Sequence, residues 1–99
     1  MIRDARKRRE IFENLQKHLD KIREAVRRLD TRAELYLFGS VPENRHVYSS
    51  DIDVLVVTDL DPGIVRLHLW EAGIREPFQV HVQHRERIGS YRTKLVRIE

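Results

Sequence analysis

Apolar residues at Ile11, Phe12, Leu15, Leu19, Ile22, Val26 and Leu29 recur at steps of three and four, the period that gathers side chains into one stripe of an α-helix. The pattern predicts a single long amphipathic helix over roughly the first 30 residues. It breaks at Asp30-Thr31, and Ala33 to Phe38 then alternates before Gly39. This predicts a first strand with Ala33, Leu35 and Leu37 on one face, and Tyr36 and Phe38 on the other, packed under a helix. The segment SVPENRHVYSS carries Pro42, Asn44 and a Ser pair, turn-forming types that leave room for at most a short helix opening at Ser40. Asp51 to Val57, DIDVLVV, is β-branched and apolar apart from two carboxylates at its start, and reads as a second strand. Asp59, Asp61 and Pro62 signal the start of a helix carrying Ile64, Val65, Leu67, Leu69 and Trp70, which Gly73 ends. Trp70 reads as core, and His68 as a packing or surface residue. Phe78, Val80 and Val82 alternate with Gln79, His81 and Gln83, giving a third strand whose polar face needs a reason. From His84 onward, Ile88, Tyr91 and Leu95 keep helical spacing, with Gly89 inside it. The order helix, strand, short helix, strand, helix, strand, helix predicts an α+β fold with helices packed on a small mixed sheet.

Composition narrows this only modestly. A chain of 99 residues, 40% hydrophobic, suits a single domain over residues 1–99 without a disulfide or structural metal. The absence of Cys excludes disulfide scaffolds and thiolate zinc sites and leaves the cytoplasm as the default compartment. MIRDARKRRE is charged from its third residue, so it does not read as a signal peptide, and no apolar run reaches membrane-spanning length. The charged share of 35%, with Arg far outnumbering Lys, suits surface ion-pair networks of the kind that matter at high temperature and is compatible with a thermophilic source. Net charge is +3, with a basic cluster at Arg3, Arg6, Lys7, Arg8 and Arg9 that can attract phosphate or an acidic partner. The remainder of that helix is charge-balanced, so a solvated first turn is the simpler reading and nucleic acid is not the favoured partner.

The candidate chemistry sits at the ends of the first two strands. Asp51 and Asp53 are two apart, so alternation sends both carboxylates to one side, about 6.6 Å apart along the chain. Such a pair can hold divalent cations, because Mg²⁺ takes carboxylate oxygens, phosphate oxygens and water. The bland alternative is a pair of turn and cap residues that happen to alternate. Gly39-Ser40 at the end of the preceding strand adds a second element: Gly lets backbone approach a phosphate, the following N–H groups point outward, and the Ser hydroxyl is one more donor. An anion cradle closing one strand and a carboxylate pair opening the next outline a nucleoside triphosphate site.

LFGS, ten residues, then DIDVLVV resembles the signature of the DNA polymerase beta nucleotidyltransferase superfamily, and is most similar to the minimal nucleotidyltransferases. The resemblance extends through the order of elements over nearly the whole chain. It implies that Gly39 and Ser40 contact the triphosphate, and that Asp51 and Asp53 hold Mg²⁺ or Mn²⁺. Ser50 completes the family's S-D-x-D form, or is a turn hydroxyl closing the loop. Three departures stand out. GSVPEN replaces the frequent G-S-x-A-x-G, with Asn44 able to take the left-handed conformation of a Gly. The arginine common just after G-S is missing, leaving Arg45 to reach phosphate from the same loop. The third strand, PFQVHVQ, lacks the carboxylate that catalytic relatives carry there and presents Gln79 and His81 instead. His81 can accept a proton near neutral pH or bind metal as neutral imidazole, or it is a hydrogen-bonded half-buried residue. Glu76, just before the strand, is a weaker candidate acid.

The expected function is therefore transfer of a nucleoside monophosphate, AMP from ATP in the favoured case, to a hydroxyl acceptor with release of pyrophosphate. So short a chain leaves acceptor recognition to a partner or a second subunit. The resemblance implies a HEPN-domain partner in a toxin-antitoxin pair, with a toxin tyrosine as acceptor. The competing expectation is a catalytically degenerate nucleotide-binding or docking module, which the missing third carboxylate favours and the retained Gly-Ser and Asp pair disfavour. A nucleic-acid binder using the basic N-terminal helix would show steep salt dependence and no need for the Asp pair.

Overall fold

A computed structural model describes residues 5–39, 51–90 and 94–98. The expected long first helix is two: α1 (Ala5–Glu13) and α2 (Leu15–Leu29), parted at Asn14. Asn14 has left helical geometry (φ −117°, ψ 35°), and its Nδ2 donates to the Glu10 carbonyl at 3.0 Å. An Asn side chain competing for a helix carbonyl in this way is the reason Asn is a poor helix-interior residue. The break is confined to one residue, since Asn14 N still donates to Glu10 O and His18 N to Asn14 O.

Four strands form one mixed sheet in the order β3-β2-β1-β4: β1 (Glu34–Phe38), β2 (Ile52–Val57), β3 (Phe78–Gln83) and β4 (Val96–Arg97). β1 is antiparallel to β2 and to β4, while β2 and β3 are parallel and joined through α3 (Pro62–Glu71). α3 opens as expected: the Asp61 carboxylate accepts from Gly63 N and Ile64 N, with Pro62 at the first helical position. The tail corrects the expectation of a last helix. Residues Arg85–Ser90 make a 3-10 turn, and β4 then pairs along β1, with Ile98 N donating to Leu35 O at 2.8 Å. Helical spacing in the tail loses to the unpaired edge of β1, which β4 covers, and to burial of Ile98 in the core.

Register assigns each face. Leu35, Ile52, Val54 and Val56 meet Leu19, Ile22 and Val26 of α2 and Val65 and Leu69 of α3 in the core. The opposite face carries the rows Phe38–Asp53–Gln79 and Tyr36–Leu55–His81. Tyr36 and Phe38 therefore lie away from the helices rather than under one. Trp70 also departs from expectation: it is 58% exposed, as is Leu67, and Ile64 is 56% exposed. α3 is apolar nearly all round, so periodicity could not say which side is buried; Val65 and Leu69 hold that place. His68 packs as expected, its Nε2–H donating to the Ala25 carbonyl at 2.8 Å and tying α3 to α2. Among the described residues no helix is long and apolar enough to cross a membrane.

Candidate functional site

β1 is followed by Gly39, whose φ of +80° lies in the left-handed region open to glycine. A Cβ built there would run into Oδ2 of Asp53 and lie 3.4 Å from its Cγ. The Asp53 carboxylate is thus seated directly against the Gly39 backbone, on the side of the sheet away from the helices. Strand pairing explains the placement: Asp53 lies opposite Phe38 on β1 and opposite Gln79 on β3. One row along, His81 brings Nε2 to 3.4 Å from Asp53 Oδ1, and Phe38 meets the imidazole edge-on with ring centroids 5.0 Å apart. Asp53 and His81 remain partly open to solvent, their side chains 28% and 42% exposed. Asp51 is exposed one position before β2, and alternation carried back two residues leaves it on the Asp53 side.

Residues 19–98 match the family described as the nucleotidyltransferase domain. The chain belongs to that family. The match starts within α2 and takes in all four strands and α3, so α1 alone among the described elements lies ahead of the family core. It agrees with a minimal nucleotidyltransferase of the DNA polymerase beta superfamily and with its α+β fold. No curated protein and no solved structure matches the chain.

In this nucleotidyltransferase domain the structure brings Gly39, Asp53 and His81 together and adds Phe38, which alternation within β1 alone places under a helix. Ser40, Arg45 and Ser50 lie outside the described residues, as do Pro42 and Asn44. Glu76 lines cavities on the helix side of the sheet, with His18 and Lys21 in one and Trp70 in the other. Among the described residues no three His, Cys, Asp or Glu side chains converge as a ready metal cluster. Magnesium does not need one, because it commonly takes one or two carboxylates and completes its shell with phosphate oxygens and water. The oxygen donors of Asp51, exposed, and Asp53, partly exposed and set against the Gly39 backbone, fit that ion.

Tyr36 lies on the same face. Its hydroxyl donates to Glu34 Oε1 at 3.4 Å, and Arg97 Nη1 meets Glu34 Oε2 at 3.4 Å. Burial pushes the Tyr36 hydroxyl pKa above its ordinary value of 10.0, the Glu34 charge adding to the rise and Arg97 opposing it.

Proposed function

We propose that this nucleotidyltransferase domain transfers a nucleoside monophosphate, AMP from ATP in the favoured case, to a hydroxyl acceptor. The observation that carries the reading is the seating of Asp53 against Gly39, which places a carboxylate beside the backbone turn where a triphosphate would approach. The acceptor oxygen bonds to the α-phosphorus, the bond to the β-phosphate oxygen breaks, and pyrophosphate leaves with the electron pair. Asp51 and Asp53 would hold Mg²⁺ or Mn²⁺, and the bound ion supplies charge neutralisation on the phosphate oxygens. Gly39 admits the triphosphate to the backbone, and Ser40, Arg45 and Ser50 are its proposed further contacts. With Nε2–H directed at Asp53 Oδ1, the Nδ1 lone pair of His81 is free to take the acceptor proton. The acceptor in this reading is a tyrosine of a HEPN-domain partner, the pair acting as toxin and antitoxin, which rests on the sequence resemblance.

The second reading is a partner-docking module without transfer, supported by a β3 face that offers Gln79 and His81 and no carboxylate opposite Asp53. Incubation with labelled ATP, Mg²⁺ and the product of the neighbouring gene separates the two. Transfer predicts label on the acceptor, lost in Asp51→Asn/Asp53→Asn; docking predicts partner neutralisation with no label under any triphosphate. If His81 is the base, His81→Ala lowers the transfer rate by about 10²- to 10⁴-fold with little change in ATP affinity. Full transfer by that variant would remove His81 from the mechanism.

A further inference from the structure

β3 is an edge strand among the described residues, and the direction of its backbone groups can be read from its bonds to β2. Pro77 O accepts from Ile52 N at 2.8 Å and Gln83 O from Thr58 N at 3.0 Å. Alternation then turns the N–H and C=O groups of Gln79 and His81 toward β2 as well, and those of Phe78, Val80 and Val82 outward. The Phe78 N–H is taken by Arg75 O at 3.0 Å. Val80 and Val82 thus present both backbone groups on the outer edge.

Natural edge strands are usually blunted by a charge, a proline or a bulge. Phe78–Gln83, FQVHVQ, has no Lys, Arg, Asp, Glu or Pro. The strand is also complementary to itself. In an antiparallel pair related by a two-fold axis at Val80, Phe78 lies opposite Val82 of the second copy and Val80 opposite its equivalent, apolar on apolar, on the helix face. On the other face Gln79 lies opposite His81 of the second copy. No like charges meet anywhere along the six residues, and the outward groups of Val80 fall opposite each other as a hydrogen-bonded pair.

The helix beside this edge is prepared in the same way. Between α3 and β3 runs a groove of about 270 Å³ with Leu69, Trp70, Ile74, Phe78 and Val80 along it and Arg66, Arg75 and Glu76 at its sides. Trp70, one of its lining residues, stands 58% exposed. A crossover helix centred over its two strands lies about 5 Å from the proposed axis, so the two copies of α3 would come about 10 Å apart, an ordinary helix-packing distance.

We propose that this chain pairs with a second copy of itself through the outer edge of β3, the strands antiparallel about a two-fold axis at Val80 and the two α3 helices packed beside it. The product is one continuous eight-stranded sheet with both candidate sites on one face, and Gln79 of each copy set beside His81 of the other. The inference stands whether or not the domain transfers a nucleotide.

Two measurements on the full chain test it. Sedimentation over a wide concentration range should show a monomer-dimer equilibrium, and Trp70→Glu, a change at an exposed position, should weaken it at least about tenfold. The chain has no Cys, so a single introduced one reports register. Val80→Cys should crosslink the dimer, the paired Cα atoms being about 5.5 Å apart and within disulfide reach. Val82→Cys should not, because its two copies would be about 14 Å apart along the strands. A chain that stays monomeric at every concentration overturns the proposal, as does a dimer that crosslinks through Val82→Cys and not Val80→Cys. A dimer that Trp70→Glu leaves unchanged overturns the placement of α3 beside the axis. Stable association only with a different protein through this edge would show that β3 receives a foreign strand and not its own copy.

Discussion

At Gly39 two demands fall on one residue, a left-handed backbone and space for the Asp53 carboxylate. Gly39→Ala is expected to cost about 1–2 kcal/mol of stability from the backbone alone. By displacing Asp53 it should also lower transfer about 10²-fold or more. Chemical denaturation and pyrophosphate release measure the two separately, and a variant with native transfer would show that Asp53 need not sit against the turn. Tyr36 gives a prediction in alkali. Its pKa is raised in the fold, so the stabilisation from holding the hydroxyl neutral is complete below the ordinary value of 10.0 and lost as pH rises through the folded value. Tyrosinate absorbance of the native protein should show one late-titrating tyrosine that disappears in Tyr36→Phe. At this scale the sequence was informative about Asp53 and His81, because period two in β2 and β3 decides which side chains share a side. It was uninformative about Phe38. Alternation within β1 defines two faces without saying which of them the helices cover, and only the register with Asp53 and the contact with His81 decide it.

Among the elements, β1, β2, β3 and α3 were legible because their signals are local: alternation in β1 and β3, the Val-rich run of β2, and the Asp61-Pro62 start with its side-chain cap. The misreadings have non-local causes. β4 exists because β1 offers an unpaired edge, a fact about the sheet and not about residues 94–98, and Trp70 is exposed because Val65 and Leu69 already occupy the buried side of α3. One tie between elements makes a stability prediction. Thr58, fully buried just after β2, donates its hydroxyl to Asp30 Oδ2 at 2.6 Å, while Asp30 Oδ1 accepts from Arg32 N at 2.9 Å at the turn between α2 and β1. These hydrogen bonds, that of Thr58 first, hold the Asp30 carboxyl below its ordinary value of 3.8. A depressed pKa contributes stability that is present above 3.8 and lost as pH falls through the folded value. Thr58→Val should therefore cost about 1–3 kcal/mol at neutral pH. The gap between variant and native unfolding midpoints should narrow as the medium is acidified below the normal carboxylate range. A gap independent of pH would mean that the cost comes from packing around Thr58 or from the Leu60 N–H that its hydroxyl accepts at 3.3 Å, and not from its bond to Asp30.

Across the whole molecule the sheet separates two jobs, helices and core on one side, Asp53 and His81 on the other. Substitutions of the solvent-exposed residues on that side should then change ligand response without unfolding the protein, whereas Leu55, fully buried there, is part of the packing. Asp51→Asn/Asp53→Asn without metal should melt no lower than the native chain, since it removes neighbouring like charges. ATP with Mg²⁺ should raise the native melting temperature, by the equivalent of about 2.7 kcal/mol at a hundredfold excess over Kd, and leave the double variant unmoved. Equal stabilisation by ATP with and without the cation would contradict a metal-dependent site. The setting of Trp70 has an optical consequence. It is the only tryptophan, it stands largely in solvent, and the Arg75 guanidinium lies 3.3 Å from its ring centroid. Its emission should already be red-shifted in the native monomer and change little when the core melts, so at low protein concentration fluorescence would miss a transition that circular dichroism records. The same indole becomes a sensitive gauge of whatever settles on the outer side of α3, where loss of water should move its emission to the blue.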